Sequence, residues 1–175
     1  MSTRPLPIRK NSLRLKGWDY RNGGCYFITF CTHQRACILE DEAIIQEITT
    51  IIDKVPTYKG SKHVVVIEWI AMANHMHLLI YLDAGTKHFN RPQPNNAPGS
   101  VGAIVGTLKR EISKKIRPYL DENFPKVWQR GYYDRIIRNE KEFNAIREYI
   151  RMNPVRWDED RDNLDSLLSR MPPHR

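Results

Sequence analysis

Apolar side chains recur along this chain with two different periods, and the changes of period predict where strands and helices lie. Runs of β-branched and aromatic residues, alternating or continuous, indicate strands. Spacings of three and four residues indicate helices with one buried face. We therefore expect four strands, at residues 23–33, 63–70, 75–82 and 127–138, and three helices, at residues 41–55, 100–117 and from 139 to the Asn153-Pro154 pair.

Polar residues at the ends of these segments support the helices. The helix at 41–55 has acidic residues in its first turn, where the helix dipole favours negative charge. Asn139 and Glu142 have the spacing of a capping box in front of the third helix. That helix should end at Asn153, because a proline disfavours helical backbone in the residue before it.

The first six elements have the order βαββαβ, which predicts an α+β fold of the ferredoxin-like type. In such a sandwich, helices pack on one face of an antiparallel sheet, and we expect the other face to be uncovered and free to carry a site. We interpret residues 1–22 as a basic arm, 23–157 as the single domain and 158–175 as a tail. Residues 83–100, rich in proline and asparagine, should form a mobile loop.

Composition narrows the class of protein. The chain has 175 residues, no apolar run long enough to span a membrane, and a basic start without a signal-peptide core, so we expect a cytoplasmic protein that associates with the nucleoid. Three cysteines suggest reduced thiols and not a disulfide framework. The net charge of +8 favours a polyanionic partner, and nucleic acid more than a membrane, although a merely basic surface would also explain it.

Two histidines interrupt the apolar strand at 75–82. His75 and His77 are two residues apart, so on a strand they share one face, while Met76 and Leu78 share the other. Two neighbouring imidazoles can converge on one metal ion, because imidazole is the commonest neutral ligand. The alternative is two unrelated histidines, one packed and one solvated.

The last helix offers further polar groups. Tyr149 and Asn153 are four residues apart, so they lie on one side of the helix, at the edge of its apolar stripe. Tyrosine supplies a nucleophilic oxygen, and the asparagine carbonyl is a hard ligand that suits Mg²⁺ or Mn²⁺. The alternative for Tyr149 is a residue at the core boundary whose hydroxyl meets water.

Three segments together resemble a known family. The run "NHMHLLI" resembles the HUH motif of single-strand DNA endonucleases. The segments "LKGWDYRNGGCYFITFCTHQR" and "WQRGYYDRIIRNEKEFNAIREYIRMNPVRW" are similar to the N- and C-terminal signatures of the REP-associated tyrosine transposases, the branch of single-tyrosine HUH transposases linked to palindromic repeats. The resemblance covers roughly residues 13–157, in the order of the family.

The resemblance implies a reaction and its residues. Tyr149 would attack a DNA phosphate and form a 5′-phosphotyrosine, with His75, His77 and Asn153 holding Mg²⁺ or Mn²⁺. The partner would be single-stranded DNA with a REP-like hairpin, and the protein a monomer or homodimer. The chain departs from the family at Ala73, where a proline often precedes the asparagine.

Basic and aromatic residues along the chain suit single-stranded DNA, by phosphate contact or by stacking on bases. For any one of them taken alone, a solvated surface role is the better interpretation. The candidates are Arg14, Lys16, Lys109, Arg110, Lys114, Arg130, Tyr133 and Arg138.

Two other functions fit the same sequence less well. A domesticated relative could bind structured nucleic acid without cutting it, but the histidines, the tyrosine and the asparagine are all present. A hydrolase could use the histidines with a water nucleophile, but such sites usually need several carboxylates, and we expect only Asp134 to approach the histidines.

Overall fold

A computed structural model describes residues 17–90, 93–94 and 96–152 of the chain. All seven elements expected from the hydrophobic pattern are present, joined by three short 3₁₀ turns. The strands and helices are β1 (Gly24–Cys31), α1 (Glu42–Asp53), β2 (Val64–Met72), β3 (His75–Leu82), α2 (Val101–Ile116), β4 (Tyr133–Ile137) and α3 (Glu140–Met152).

The four strands form one antiparallel sheet in the order β2-β3-β1-β4. β1, the first strand in the sequence, is therefore central, with β3 on one side and β4 on the other. Two connections run through helices and one is the tight hairpin between β2 and β3. The predicted ferredoxin-like βαββαβ sandwich with an antiparallel sheet is confirmed.

Helices α1 and α2 pack side by side on one face of the sheet. Both helices begin after a capping side chain: Asp41 accepts a hydrogen bond from the Ala43 amide, and Ser100 accepts one from the Ala103 amide. The isoleucines and leucines at helical spacing bury themselves against the even-numbered side chains of β1 and β3. This face holds the main hydrophobic core, which includes Tyr26, Ile28, Met76, Leu78, Ile80, Ile48 and Ile112.

The opposite face is covered by α3, so the expectation of an uncovered face is wrong. Ile146 and Ile150 of α3 pack on Phe27, Leu79 and Ile137 in a second, smaller core. The physical reason lies in α3 itself, whose apolar stripe would face water if the helix did not return across the sheet. A site on this face is therefore enclosed between sheet and helix.

The strand expected at 127–138 is shorter than the pattern suggested. Only Tyr133–Ile137 pairs with β1, while the first part, apart from a single bridge between Thr32 and Trp128, connects α2 to the sheet. Trp128 packs its ring edge-on against Phe30 at 4.9 Å and donates to the Lys109 carbonyl. The aromatic residue Trp128, which suggested a strand, therefore packs in the core instead. Gly131, with φ of 81°, separates this segment from β4.

The predicted arm and loop meet at the edge of the domain. Trp18 donates to the Tyr26 hydroxyl, and Tyr20 is buried, so these two arm residues pack on the sheet. Asn22 bonds both the amide and the carbonyl of Phe89, which ties the middle of the 83–100 segment to the arm. The mobility of that segment stays a prediction, and the 158–175 tail lies outside the described residues.

Within the described part of the chain, no helix is long and apolar enough to cross a membrane.

Candidate active site

Strand β3 places His75 and His77 on the face that α3 covers. In the sheet register, His77 lies between Thr29 of β1 and Ile70 of β2, and His75 lies opposite Cys31. Directly paired residues share a face, so these side chains surround the two rings. His77 is completely buried and His75 is 8% exposed. The histidines are thus part of an enclosed site and not of an open sheet surface.

The two imidazole rings meet at their Nε2 atoms, which are 3.0 Å apart. The rings are nearly perpendicular, with an angle of 74° between their planes. Each Nδ1 atom has its own polar partner: Thr29 Oγ1 lies 2.7 Å from Nδ1 of His77, and Asn74 Oδ1 lies 2.8 Å from Nδ1 of His75. These contacts orient the rings so that both Nε2 atoms face one point.

Tyr149 of α3 reaches the same point. Its hydroxyl lies 3.3 Å from Nε2 of His77, and the two rings are 5.3 Å apart. Phe27 stacks on the His77 ring at 5.3 Å and contacts the Tyr149 ring edge-on. The structure therefore brings together three residues that the sequence placed on two separate elements.

Both imidazoles are neutral near neutral pH. Burial, and to a smaller extent the charge of Arg35, lowers the pKa of His75 to about 4. Burial and the neighbouring His75 lower the pKa of His77 well below its ordinary value. Neutral imidazoles are the form that binds metal ions, because protonation would occupy the lone pair that a metal needs.

The pair of Nε2 atoms fits a divalent ion. Bonds of about 2.0–2.1 Å at right angles place two ligand atoms about 3 Å apart, which matches the 3.0 Å separation. The proposed third ligand, Asn153, lies outside the described residues. Across residues 17–90, 93–94 and 96–152, no group of three His, Cys, Asp or Glu side chains is arranged to hold a metal.

Asp134, the carboxylate that a water-based hydrolase would need, lies on the wrong side of the sheet. It pairs with Ile28 in the register between β1 and β4, and Ile28 belongs to the main core under α1 and α2. Its side chain therefore points away from the histidines. The expectation that Asp134 approaches the histidines is wrong, because the even-numbered residues of β4 face the main core.

Two ion-pair clusters hold α3 on the sheet. Arg135 of β4 bonds Glu142 in the first turn of α3, and both side chains are nearly buried. Arg147 and Arg151 both bond Glu68 of β2. Burial alone would raise the pKa of Glu68, but the hydrogen bonds from the two arginines hold it below its ordinary value. These pairs clamp both ends of the helix that carries Tyr149.

Thr29, Asn74 and Glu68 were not expected from the sequence. Asn74 was visible beside the histidines, and an asparagine next to a histidine can orient its ring. Thr29 and Glu68 carried no such signal. Thr29 meets His77, 48 residues away, only through the register of two strands. Glu68 meets Arg147, 79 residues away, only because α3 packs on the sheet.

The candidate DNA-binding residues are distributed around the molecule. Lys109 turns inward and donates to the carbonyls of Gln129 and Gly131, and burial lowers its pKa to about 8. Arg110 and Lys114 are exposed and pair with Glu111 on α2, across the sheet from the histidines.

The other candidates that the structure describes lie on or beside β4. Tyr133 shares the face of Thr29, its register partner, and Arg130 and Arg138 are exposed before and after β4. Arg14 and Lys16 lie outside the described residues. A DNA contact by any of the eight candidates stays a prediction.

Comparisons with known proteins agree with this architecture. Residues 22–153 match the model of the family described as "Transposase IS200 like". An uncharacterized protein of Haemophilus influenzae (strain ATCC 51907 / DSM 11121 / KW20 / Rd) is 29% identical over 174 residues, covering 89% of this chain and 94% of that protein.

Two solved structures share the fold. A REP-associated tyrosine transposase, in a structure bound to a REP hairpin, has a TM-score of 0.53 at 20% identity, over 87% of this chain and 74% of that one. A putative transposase from Deinococcus radiodurans R1 has a TM-score of 0.50 at 20% identity, over 79% and 96%.

The match covers three quarters of the chain and spans every strand and helix described above. The protein belongs to the IS200-like transposase family, and a transposase-type function on DNA follows.

Proposed function

We propose that this protein is a metal-dependent, single-stranded DNA endonuclease and strand transferase of the REP-associated branch, with Tyr149 as its nucleophile. The observation that carries the proposal is the position of the Tyr149 hydroxyl, 3.3 Å from a buried imidazole whose own neighbour is a second imidazole 3.0 Å away. A tyrosine at a plain core boundary would not need to meet two converging ring nitrogens.

The chemistry follows from a nucleophile that belongs to the protein. The Tyr149 oxygen attacks a DNA phosphorus and forms a new O–P bond, while the bond from phosphorus to the 3′-oxygen breaks. The tyrosine proton passes to solvent, and the leaving oxygen takes up a proton to become a 3′-hydroxyl. The products are a 5′-phosphotyrosine and a free 3′ end, which can reverse the step on the same or another strand.

His75, His77 and Asn153 are the side chains that would hold a divalent ion here. Mg²⁺ or Mn²⁺ bound to them would polarise the scissile phosphate and neutralise charge that develops on it. The histidines themselves contribute neutral ligands in a dry environment, fixed by Thr29 and Asn74. Phe27 excludes water from the back of the His77 ring.

The proposed substrate is single-stranded DNA beside a hairpin. The net charge of +8 suits a phosphate backbone, and the transposase of similar fold was solved with a REP hairpin. Unpaired bases beside the stem would give sequence choice, because they can stack on aromatic rings such as that of Tyr133. Affinity should fall by roughly one power of salt concentration for each phosphate contact.

A labelled cleavage assay tests the nucleophile. The protein is mixed with Mg²⁺ or Mn²⁺ and a pool of hairpin oligonucleotides with randomised single-stranded flanks, labelled at either the 3′ or the 5′ end. We expect the 3′ label to shift to protein size on a denaturing gel and the 5′ label to run as a shorter free strand. The shift should disappear in Tyr149→Phe, which keeps the ring packed on Phe27 and removes the oxygen.

Tyr81→Phe is the matched control, because Tyr81 lies on the same face of β3 as the two histidines, is exposed, and should keep the adduct. An undiminished adduct in Tyr149→Phe would exclude Tyr149 as the nucleophile. Hairpin binding without any adduct in the parent protein would favour the non-cleaving alternative, and cleavage without attachment would favour a water nucleophile.

Calorimetry with Mn²⁺ tests the ligands separately from cleavage. His75→Ala and His77→Ala should each weaken Mn²⁺ binding by about 10-fold or more while the far-ultraviolet circular dichroism is unchanged. His88→Ala, in an exposed position of the 83–100 segment, should bind as the parent does. Parent-like binding in either variant of the pair would show that this histidine is not a ligand.

A further inference from the structure

The turn that follows β1 has an unusual backbone. Gln34 and Arg35 have φ angles of 52° and 55°, in the left-handed region that side chains other than glycine rarely adopt. No other non-glycine residue in the described part of the chain has a positive φ. Each such residue costs on the order of 1–3 kcal/mol and persists only where the surrounding structure holds it, and such residues cluster at active sites and ligand clamps.

Hydrogen bonds hold this turn beside the candidate site. The Thr32 amide donates to the Asn74 carbonyl at 2.9 Å. The Thr32 hydroxyl lies 2.9 Å from the same carbonyl and 2.8 Å from that of Ala36. Asn74 directly precedes His75 and contacts its ring. The turn is therefore fixed against the end of the site at which His75 lies.

Arg35 is exposed, yet its positive charge acts on two groups of the site. Burial is the larger influence on both, raising the pKa of the Cys31 thiol and lowering the pKa of His75 to about 4, and the Arg35 charge is the next influence on each. Cys31 and His75 are register partners on the face that α3 covers. Because such an influence falls with distance, the Arg35 guanidinium lies at the rim of the enclosed site.

Arg35 differs from the other arginines around this face in its partners. Carboxylates form ion pairs with Arg135, Arg147 and Arg151. No carboxylate of the described residues pairs with Arg35. A guanidinium without an acidic partner is available for an anion, and its planar fork matches the geometry of a phosphate.

Arg35 and Tyr149 approach the site from opposite ends of β1. Tyr149 contacts Phe27 and His77. Arg35 comes after Cys31, which ends β1 on the far side of the site from Phe27. In an in-line displacement, the attacking and leaving oxygens lie on opposite sides of the phosphorus. When Tyr149 attacks from one end, the leaving oxygen therefore faces the end at which Arg35 lies.

We propose that Arg35 binds the scissile phosphate on the side opposite Tyr149 and stabilises the negative charge that develops on the leaving 3′-oxygen. The Tyr149 oxygen forms the new bond to phosphorus, and the bond from phosphorus to the 3′-oxygen breaks with its electron pair on that oxygen. The oxygen then takes a proton from water, while Arg35 keeps its own protons, because a guanidinium does not lose its charge in proteins. The inference rests on the proposed function, which assigns Tyr149 as the nucleophile.

A substrate with sulfur in place of the bridging 3′-oxygen tests this role. A thiolate needs little help to leave, because the pKa of a thiol such as that of cysteine is about 8.5, far below that of an alcohol. A variant without support for the leaving group should be slow on normal DNA and recover on the sulfur-containing DNA. Both substrates are built on the hairpin oligonucleotide that the parent cleaves, and adduct formation is followed with Mn²⁺ in a single turnover at saturating protein.

Arg35→Met keeps the length of the exposed side chain and removes its charge and its donors. On normal DNA its adduct should form about 100-fold more slowly than that of the parent, as when one donor to a developing oxyanion is removed. On the sulfur-containing DNA the deficit should shrink to less than about 10-fold. Arg35→Lys restores the charge and should regain part of the rate on normal DNA.

Lys54→Met is the matched control, because Lys54 is exposed at the end of α1, on the other side of the sheet, and its loss lowers the net charge equally. It should match the parent on both substrates. Two results would overturn the inference: Arg35→Met as fast as the parent on normal DNA, or equally slow on both substrates, which would limit Arg35 to DNA binding or to the turn. Arg35→Gln gives the same comparison if circular dichroism shows that Arg35→Met is unfolded. Absence of the adduct in the parent would instead overturn the proposed function, and the inference with it.

Discussion

The two faces of the sheet differ in the kinds of side chain that they bury, although the same four strands form both. The face under α1 and α2 is almost entirely apolar and buries long aliphatic side chains from five elements. The face under α3 mixes a small apolar cluster with two imidazoles, a tyrosine and two sets of ion pairs. The first face supplies stability, whereas the second also contains polar and charged groups whose burial is unfavourable. Adjacent residues of β3 belong to opposite faces, so single substitutions can separate the two roles.

The largest effect is expected at Leu78, which is fully buried in the main core. Leu78→Ala should lower the free energy of unfolding by about 4 kcal/mol, because helices on one side and the sheet on the other prevent the cavity from closing. Urea denaturation measures the loss. Protein that remains folded should keep the Mn²⁺ affinity of the parent, and a loss of affinity would show that the two faces are not independent.

Leu79, the next residue, is equally buried but packs under α3. Leu79→Ala should lower the free energy of unfolding by somewhat less, about 3 kcal/mol, because a single helix can move into part of the cavity. Tyr149 moves with that helix, so formation of the covalent adduct should slow by about 10-fold or more. Adduct rate and urea midpoint are measured on the same sample. An unchanged rate would mean that α3 holds its position without Leu79.

An intermediate effect is expected for the ion pair between Arg135 and Glu142. Glu142→Gln keeps the shape of the side chain but leaves the buried guanidinium without its charged partner, which should cost about 2 kcal/mol. Unfolding in urea at low and high salt measures it. Glu140→Gln, exposed in the same turn, should change stability by less than about 0.5 kcal/mol. Equal costs for the two variants would contradict the burial of the pair.

The smallest effect is expected at Glu68, whose arginine partners are partly exposed. Glu68→Gln should lower the free energy of unfolding by about 0.5 kcal/mol, and the difference should vanish near 1 M salt, because water and ions screen such pairs. Thermal unfolding with and without salt is the measurement. A cost as large as that of Glu142→Gln, or one indifferent to salt, would place Glu68 in a drier environment than its exposure indicates.

The sequence predicted the elements well because their signals are local. Period, caps and breakers lie within each segment, and they located all seven elements and the capping residue Asn139. They misjudged β4, where Trp128 resembles a strand residue but packs on Phe30 instead. They also misjudged the second face, since an apolar stripe on α3 shows that the helix must be buried but not against which surface.

The residues of the candidate site also divide into those that a local pattern identifies and those that depend on distant parts of the chain. His75 and His77 were recognisable because a period of two puts them on one face, and Tyr149 because it borders the stripe of its helix. Their mutual distance depends on how α3 crosses the sheet, which no local pattern contains. Thr29 is hidden for a related reason, because its contact with His77 depends on the register of two strands that are far apart in sequence.

The separation of Tyr149 from His77 along the chain, 72 residues, has a consequence for synthesis. The hairpin with both imidazoles leaves the ribosome long before the helix that bears the tyrosine. A chain that stops before Glu140, through early termination or proteolysis, keeps the histidines and lacks Tyr149. On the proposed chemistry, the ability to break DNA is therefore acquired only once α3 has been made, and a copy that stops before Glu140 could not attach to DNA through Tyr149.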